Sequence, residues 1–310
     1  MPSGRFAPSP TGDLHLGNLR TALAAWLFAR STSSAFLVRM EDLDPAQSSE
    51  EHARSQLRDL RALGLDWDGD VVHQSNRLAL YHEAIAELTA RGLTYPCYCT
   101  RREIREAASA PHIGPQPDGA YPGTCRHLSA RARSARERDG RPPALRLRSD
   151  GVEVTVADDL LGPITAVVDD VVLRRNDATP AYNLAVVVDD AAQGVEQVVR
   201  ADDLALSSPR QHHLATLLGL PGVRYAHVPL VLGPSGQRLA KRDGAATLAD
   251  QAKGGRGPDA VRALLAHSLG QCEFDATPTA ADLASSFRPL DVAPTAWTVP
   301  DVVLKGSPWP

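Results

Sequence analysis

Apolar residues along the chain come in short runs between turn residues, and their spacing separates helices from strands. Gly4 to Ala7 reads as a short strand, followed by the turn-rich segment Pro8-Ser-Pro-Thr-Gly-Asp13. Leu19, Ala22, Leu23, Trp26 and Leu27 then recur at helical spacing, so a helix is expected to begin near Leu16. Phe36 to Met40 reads as a second, buried strand. A helix is expected from about Ser48 to the Leu63-Gly64 stop, and another from Arg77 to Arg91, stopped by Gly92. Short apolar strands alternating with helices imply a parallel sheet covered on both faces.

From Tyr95 the texture changes. Cysteines and prolines, a Gly/Pro-rich stretch from Pro111 to Gly123 and an arginine-rich run together suggest an insertion. The β-branched runs Val152 to Val156, Ile164 to Val168, Val171 to Leu173 and Leu184 to Val188 read as antiparallel strands, with Asp-Asp pairs as turns. After Val198-Val199 a helical pattern returns around Pro209 to Leu218, and the apolar run His227 to Leu232 leads into a Gly/Pro/Ser loop. From about Gly257 the chain reads as helical and then sparse.

At 310 residues the chain is long enough for two or three units, and 43% hydrophobic with 23% charged residues describes a globular protein. The longest apolar stretch, around Ala22 to Ala29, is far short of the roughly 20 residues a membrane helix needs. With no apolar leader at its start, the chain is expected in the reducing cytoplasm, without membrane or disulfides. Of its four cysteines, Cys97, Cys99 and Cys125 cluster, which suggests a metal site, while Cys272 stands alone. Net charge is −4, yet eight arginines face two acids between Arg126 and Arg148: a solvated face, or a phosphate-binding one. Three lysines among 33 basic residues make each lysine locally unusual.

In a parallel sheet, ligands gather at the carboxyl ends of strands, where helix N-termini offer free N–H groups. The loop from Pro8 to Asn18 occupies such a place, with His15 just before the helix, as a cap or as a phosphoryl donor. It matches neither the dinucleotide nor the P-loop glycine pattern. A second loop, Gly233 to Gly244, sets Arg238, Lys241 and Arg242 among glycines and suits a clamp over polyphosphate.

Arg5-Phe-Ala-Pro-Ser-Pro-Thr-Gly-Asp-Leu-His-Leu-Gly-Asn18 resembles the histidine signature of class I glutamyl- and glutaminyl-tRNA synthetases, and Arg238-Leu-Ala-Lys-Arg242 resembles their lysine loop. Val38-Arg-Met-Glu-Asp-Leu-Asp44 and Gly64-Leu-Asp-Trp-Asp68 are similar to further segments of that family. Arg238 and Ala240 depart from the usual Lys and Ser of the loop, and Asn18 stands where a second His is common. The resemblance implies an α/β fold: a Rossmann-like parallel sheet, an inserted α+β zinc-containing subdomain and a short C-terminal helical segment. The implied divisions are 1–95 for the first catalytic half, 96–190 for the acceptor-binding-like insertion, 191–255 for the second half and 256–310 for the helical end.

Only about 65 residues follow the lysine loop, where full-length synthetases carry an anticodon-binding half. That shortness, with Cys97-x-Cys99 and Tyr121-x₃-Cys125, is similar to the branch that attaches glutamate to the queuosine base in the anticodon of tRNA(Asp). The rivals are a truncated synthetase that charges the tRNA 3′ end and an idle paralogue that only binds tRNA or nucleotide.

The resemblance implies L-glutamate, ATP and queuosine-containing tRNA(Asp) as partners of a monomer, with Mg²⁺ accompanying the nucleotide. It assigns catalysis to His15 and Lys241, and ATP contacts to these with Gly17 and Asn18. It assigns glutamate binding to Arg5, Phe6, Ala7, Pro8, Ser9, Glu41, Tyr182 and Arg200. Arg5 and Arg200 are the cations for the side-chain carboxylate, and Glu41 is the anion for the ammonium. Read alone, Glu41 and Arg200 also fit a simple ion pair, and Tyr182 a core residue. A structural Zn²⁺ needs a fourth ligand beside Cys97, Cys99 and Cys125. General chemistry favours His112 or His127 there, whereas the resemblance points to Tyr121.

Overall fold

The computed structural model describes residues 3–100, 102–104, 120–239, 243–244 and 246–305. Its first segment alternates β1 (Ser3–Phe6), α1 (Leu16–Arg30), β2 (Ala35–Met40), α2 (Glu50–Ala62), β3 (Val72–His73) and α3 (Leu78–Ala90). The middle segment holds β4 (Thr94–Cys97), α4 (Ala130–Arg138), β5 (Ala144–Leu147), β6 (Glu153–Asp158), β7 (Gly162–Val167), β8 (Val172–Arg174) and α5 (Tyr182–Ala192). Then come β9 (Gln197–Ala201), α6 (Ser208–Leu217), β10 (Arg224–Val228), β11 (Val231–Leu232), α7 (Leu248–Lys253), α8 (Pro258–Ser268), α9 (Ala280–Ser286), β12 (Trp297–Thr298) and α10 (Asp301–Leu304).

The main sheet runs β3-β2-β1-β9-β10-β6-β7, parallel throughout except for β7. Strand order reverses between β1 and β9, which opens a crevice at their carboxyl ends. The β6–β7 hairpin comes from within the 96–190 segment yet extends the main sheet through β10, whereas β4, β5 and β8 form a separate antiparallel sheet.

α1 is the central helix. It buries Leu16, Leu19, Leu23 and Leu27 and also Ala22, Ala24 and Ala25, because β1 lies on one side of it and α8 and α9 on the other. Gly4 permits that approach: a Cβ there would stand 3.3 Å from the Ala29 Cβ. Arg20, fully buried, spans the layers by donating to Pro229 O at 2.6 Å and to Ser268 Oγ and O at 3.0 and 3.1 Å. Burial lowers its pKa to about 10, so a charge is retained at neutral pH.

One expected strand is a helix. Leu184 to Val188 lies in α5, and the Asp189-Asp190 pair expected to mark a turn is buried inside that helix. A short apolar run that is buried on every side lacks the polar face that distinguishes helix from strand. Tertiary pairing of the two aspartates then removes the turn preference that short acidic side chains have in water.

Candidate active site

The crevice at the carboxyl ends of β1 and β9 is a cleft of about 490 Å³. Arg5, Phe6, Ala7, Pro8, Ser9, His15, Asn18, Glu41, Tyr182 and Arg200 all line it. Three elements converge to build it: the loop after β1, the end of β2 and the end of β9. The Glu41 N–H donates to Pro8 O at 2.9 Å, which ties the first two together. Gln56 on α2 holds the loop from behind, donating to Ser9 O at 3.1 Å and Gly12 O at 2.7 Å. Its signal in the sequence was a polar residue on the buried face of α2, in line with Ala53 and Leu60.

His15 caps α1. Its Nδ1 accepts from the Gly17 and Asn18 backbone N–H groups at 3.1 and 3.3 Å, and the Asn18 side chain accepts from the His15 N–H at 3.3 Å. A neutral imidazole that accepts at Nδ1 carries its proton on Nε2, so the cap also fixes His15 as a donor. Gly17 lies beneath the ring rather than on the cleft wall: a Cβ there would meet the imidazole at 2.9 Å. The first N–H groups of α1 are taken up by His15 and Ala246, and the dipole of the helix adds a partial positive charge at the same point.

Arg5 and Arg200 are both buried, but their surroundings differ. Asp190 accepts from Arg5 Nε at 3.2 Å and Nη2 at 3.4 Å, and from Arg39 Nη1 at 2.8 Å. Burial alone would raise the Asp190 carboxyl, yet Arg5 and Arg39 hold it below the usual carboxylate range. Asp189 collects Tyr81, Gln74 and Arg77 at 2.7, 2.8 and 2.6 Å. Arg39 also lies 3.5 Å from Glu41, whose carboxyl is pushed up by burial and only partly drawn back by Arg39 and Arg5. Arg39, Asp189 and Asp190 do not line the cleft but stand behind Arg5 and Glu41 as buried partners, a supporting role that sequence reasoning missed. Arg200 donates to His227, Gln211, Ser208 and the Leu204 carbonyl, and no Glu41–Arg200 ion pair forms. Tyr182, the first residue of α5, is 39% exposed on the cleft wall and not in the core.

Arg238 reaches the same cleft and pairs with Asp203. Lys241, like Ala240 and Arg242, lies outside the described residues. The return from that loop docks on the histidine segment, where the Leu16 N–H donates to Ala246 O at 2.7 Å.

Away from the cleft, the end of β4 brings the Cys97, Cys99 and Cys125 sulfurs within 4.8 Å of one another. The Tyr121 hydroxyl stands 3.3 Å from Cys97 Sγ and 3.5 Å from Cys99 Sγ, and accepts from the Cys125 N–H at 2.8 Å. Three sulfurs and one oxygen at these spacings fit a tetrahedral Zn²⁺, whose bonds to sulfur are about 2.3 Å long. The Arg146 guanidinium, 3.6 Å over the Tyr121 ring, sets a positive charge beside the thiolates such a site would hold. His127 is exposed and apart from the cluster, and His112 lies outside the described residues.

Residues 3–270 match the family model described as tRNA synthetases class I (E and Q), catalytic domain. The chain is 63% identical over 268 residues to the glutamyl-Q tRNA(Asp) synthetase of Nocardia farcinica, covering 86% of this chain and 85% of that one. It is 56% identical to the protein of the same name in Cutibacterium acnes, covering 86% and 76%. Among solved structures, a glutamate tRNA ligase from Elizabethkingia meningosepticum in complex with its amino acid shares the fold, with TM-score 0.80 at 22% identity over 98% of this chain and 68% of that one. The parallel sheet with its reversed strand order, the cleft at the reversal and these matches lead to one assignment: the chain belongs to the class I tRNA synthetases of the E and Q group, a ligase family, and within it to the glutamyl-Q tRNA(Asp) synthetases.

Proposed function

We propose that this protein activates L-glutamate with ATP and transfers it to the queuosine base in the anticodon of tRNA(Asp). One observation carries the reading: a single cleft holds two buried cations and the Glu41 carboxylate, whose side chain is 10% exposed, beside a helix N-terminus. Glutamate presents the complement, two carboxylates and an ammonium, and each must be paired on leaving water. Arg200 and the Arg5 nitrogen that Asp190 does not engage take the side-chain carboxylate. Glu41 takes the ammonium, which supplies the positive charge that favours its ionised form. Ser9 and Tyr182 complete the pocket by hydrogen bonding, with Phe6, Ala7 and Pro8 forming its floor.

An oxygen of the α-carboxylate then attacks the α-phosphorus of ATP, forming the mixed anhydride and releasing pyrophosphate. Negative charge builds on the phosphoryl oxygens. The His15 Nε2–H and the α1 N-terminus stabilise it, together with Lys241 and a Mg²⁺ carried by the nucleotide. In the second step a queuosine hydroxyl attacks the acyl carbon and AMP leaves. Zn²⁺ on Cys97, Cys99, Cys125 and Tyr121 has a structural part, pinning the three-stranded sheet to the segment that returns from the insertion. A monomer suffices, since the cleft is built within one chain.

The test is glutamate-dependent ATP–pyrophosphate exchange without tRNA, followed by transfer of labelled glutamate to queuosine-containing tRNA(Asp). The expected result is exchange in the absence of tRNA and label in the anticodon fragment after nuclease digestion. Label on the 3′-terminal adenosine would make the protein a glutamyl-tRNA ligase instead. No exchange and no label would leave only a binding protein.

A further inference from the structure

Arg200 is buried, and each of its hydrogen-bond partners is neutral. Nε donates to His227 Nε2 at 3.0 Å, Nη1 to Gln211 Oε1 at 2.8 Å, and Nη2 to Ser208 Oγ at 2.8 Å and Leu204 O at 3.3 Å. Among the described residues no carboxylate lies within ion-pair distance of it, in contrast to Arg5, which is paired with Asp190. A carboxylate does stand one step further out. Asp158 Oδ2 is 2.6 Å from His227 Nδ1, and neither side chain of that pair has any exposure.

The direction of each proton follows from the acceptors. His227 Nε2 accepts from Arg200, so the imidazole proton is on Nδ1, donated to Asp158. Asp158 is itself fixed by the Leu160 and Leu161 N–H groups at 3.0 and 2.8 Å, so the chain Asp158–His227–Arg200 is anchored at a backbone turn. Burial holds the imidazole pKa below its ordinary value, more than Asp158 raises it, which keeps the ring neutral. The ring lies nearly parallel to Tyr225 at 5.9 Å, which fixes its plane.

We propose that His227 is a positioning residue that places a neutral acceptor between Asp158 and Arg200, orienting the guanidinium while leaving its charge unspent for the substrate's side-chain carboxylate. Direct contact with Asp158 would aim Arg200 equally well but would neutralise it. An apolar residue at 227 would leave the charge but release the Nε–H and the aim. The arrangement also bears on selectivity, because an unspent charge distinguishes a carboxylate from the isosteric amide of glutamine.

The proposal rests on reading the cleft as the glutamate site, and the experiment separates the two. Initial rates of ATP–pyrophosphate exchange are measured against glutamate and against ATP for the wild type, H227L, H227Q and D158N/H227E, with melting curves for each. The double variant keeps one carboxylate in the pocket and moves it into contact with Arg200. H227L and D158N/H227E are expected to raise the glutamate KM about tenfold or more, with the ATP KM within about twofold, the loss of roughly one charge-assisted contact. H227Q, which offers a neutral acceptor to Arg200 and an amide donor to Asp158, should recover most of that loss. A purely structural part for His227 would move melting temperature and both KM values together. A folded D158N/H227E protein with the wild-type glutamate KM, or H227Q as impaired as H227L, would overturn the proposal. Wild-type protein that fails to exchange with glutamate overturns the underlying reading of the cleft instead.

Discussion

Asp190 shows how a single side chain serves both fold and site. Its carboxylate lies between two buried guanidiniums and is the group that keeps Arg5 aimed at the cleft. Asp190→Ala would strip Arg5 of its carboxylate partner and leave Arg39 with only the longer contacts to Glu41 at 3.5 Å and Asp189 at 3.6 Å. We expect a loss of about 3–5 kcal/mol at neutral pH, read by chemical denaturation, with a raised glutamate KM in whatever folds. The pH dependence has a definite sign. A carboxyl held low in the folded state contributes stability above the unfolded aspartate value near 4, and that contribution is lost as pH falls through the depressed value. The gap between wild type and variant should therefore narrow in acid; a constant gap would mean Asp190 is not ionised in the fold. None of this was legible beforehand. Arg5, Glu41, Tyr182 and Arg200 were assigned by the family resemblance, whereas Asp189 and Asp190 received no role from it and looked like a turn. Pairing across 185 residues, as between Arg5 and Asp190, leaves no local trace in a sequence.

Helices were legible where one face meets water, and strands where a short apolar run is bounded by turn residues. The Ser48 to Gly64 and Arg77 to Arg91 expectations correspond to α2 and α3, and the strands before and after α1 correspond to β1 and β2. α5 was missed because it is buried on nearly every side, and the placement of the β6–β7 hairpin on the main sheet depends on pairing with β10 that no run of residues encodes. The cysteine cluster was legible from residue type and from the close Cys97-x-Cys99 spacing, whereas Cys125 joins it across 26 residues. It also yields a direct prediction. Purified protein should hold about one Zn²⁺ per chain. Cys125→Ser should release it and lower the melting temperature, and Tyr121→Phe should weaken zinc retention against a chelator while His127→Ala leaves it unchanged. Metal content by mass spectrometry decides the matter: a wild-type protein without zinc, with all three thiols open to alkylation, would remove the site, and an unaffected Tyr121→Phe protein would remove its fourth ligand.

For the molecule as a whole the question is how a protein of net charge −4 holds a polyanion. The charge is not evenly spread. α4 buries no residue at all and carries Arg131, Arg133, Arg136 and Arg138 on nine positions. Glu137 turns toward the body, accepting from the Tyr98 hydroxyl at 3.0 Å, and Arg136 lies 3.9 Å from Glu103. Arg131 and Arg138, two turns apart, share a face away from Glu137. A nine-residue helix without a buried face is not explained by packing: outside a protein it falls below the length at which helices hold in water. The Ser129 side chain caps it by accepting from the Ala132 N–H at 3.2 Å, and its alanines favour the helix, so what the element presents is charge. On the proposed function, that charge meets RNA phosphate. Arg131→Ala with Arg138→Ala should weaken tRNA binding and reduce the slope of log affinity against log salt by about one to two, as each phosphate contact contributes roughly 0.7–0.9. Glutamate-dependent exchange without tRNA should be untouched, because the cleft shares no residue with α4. An unchanged salt slope with full tRNA affinity would make α4 a solvated face and move the search for the RNA contact to the walls of the cleft itself.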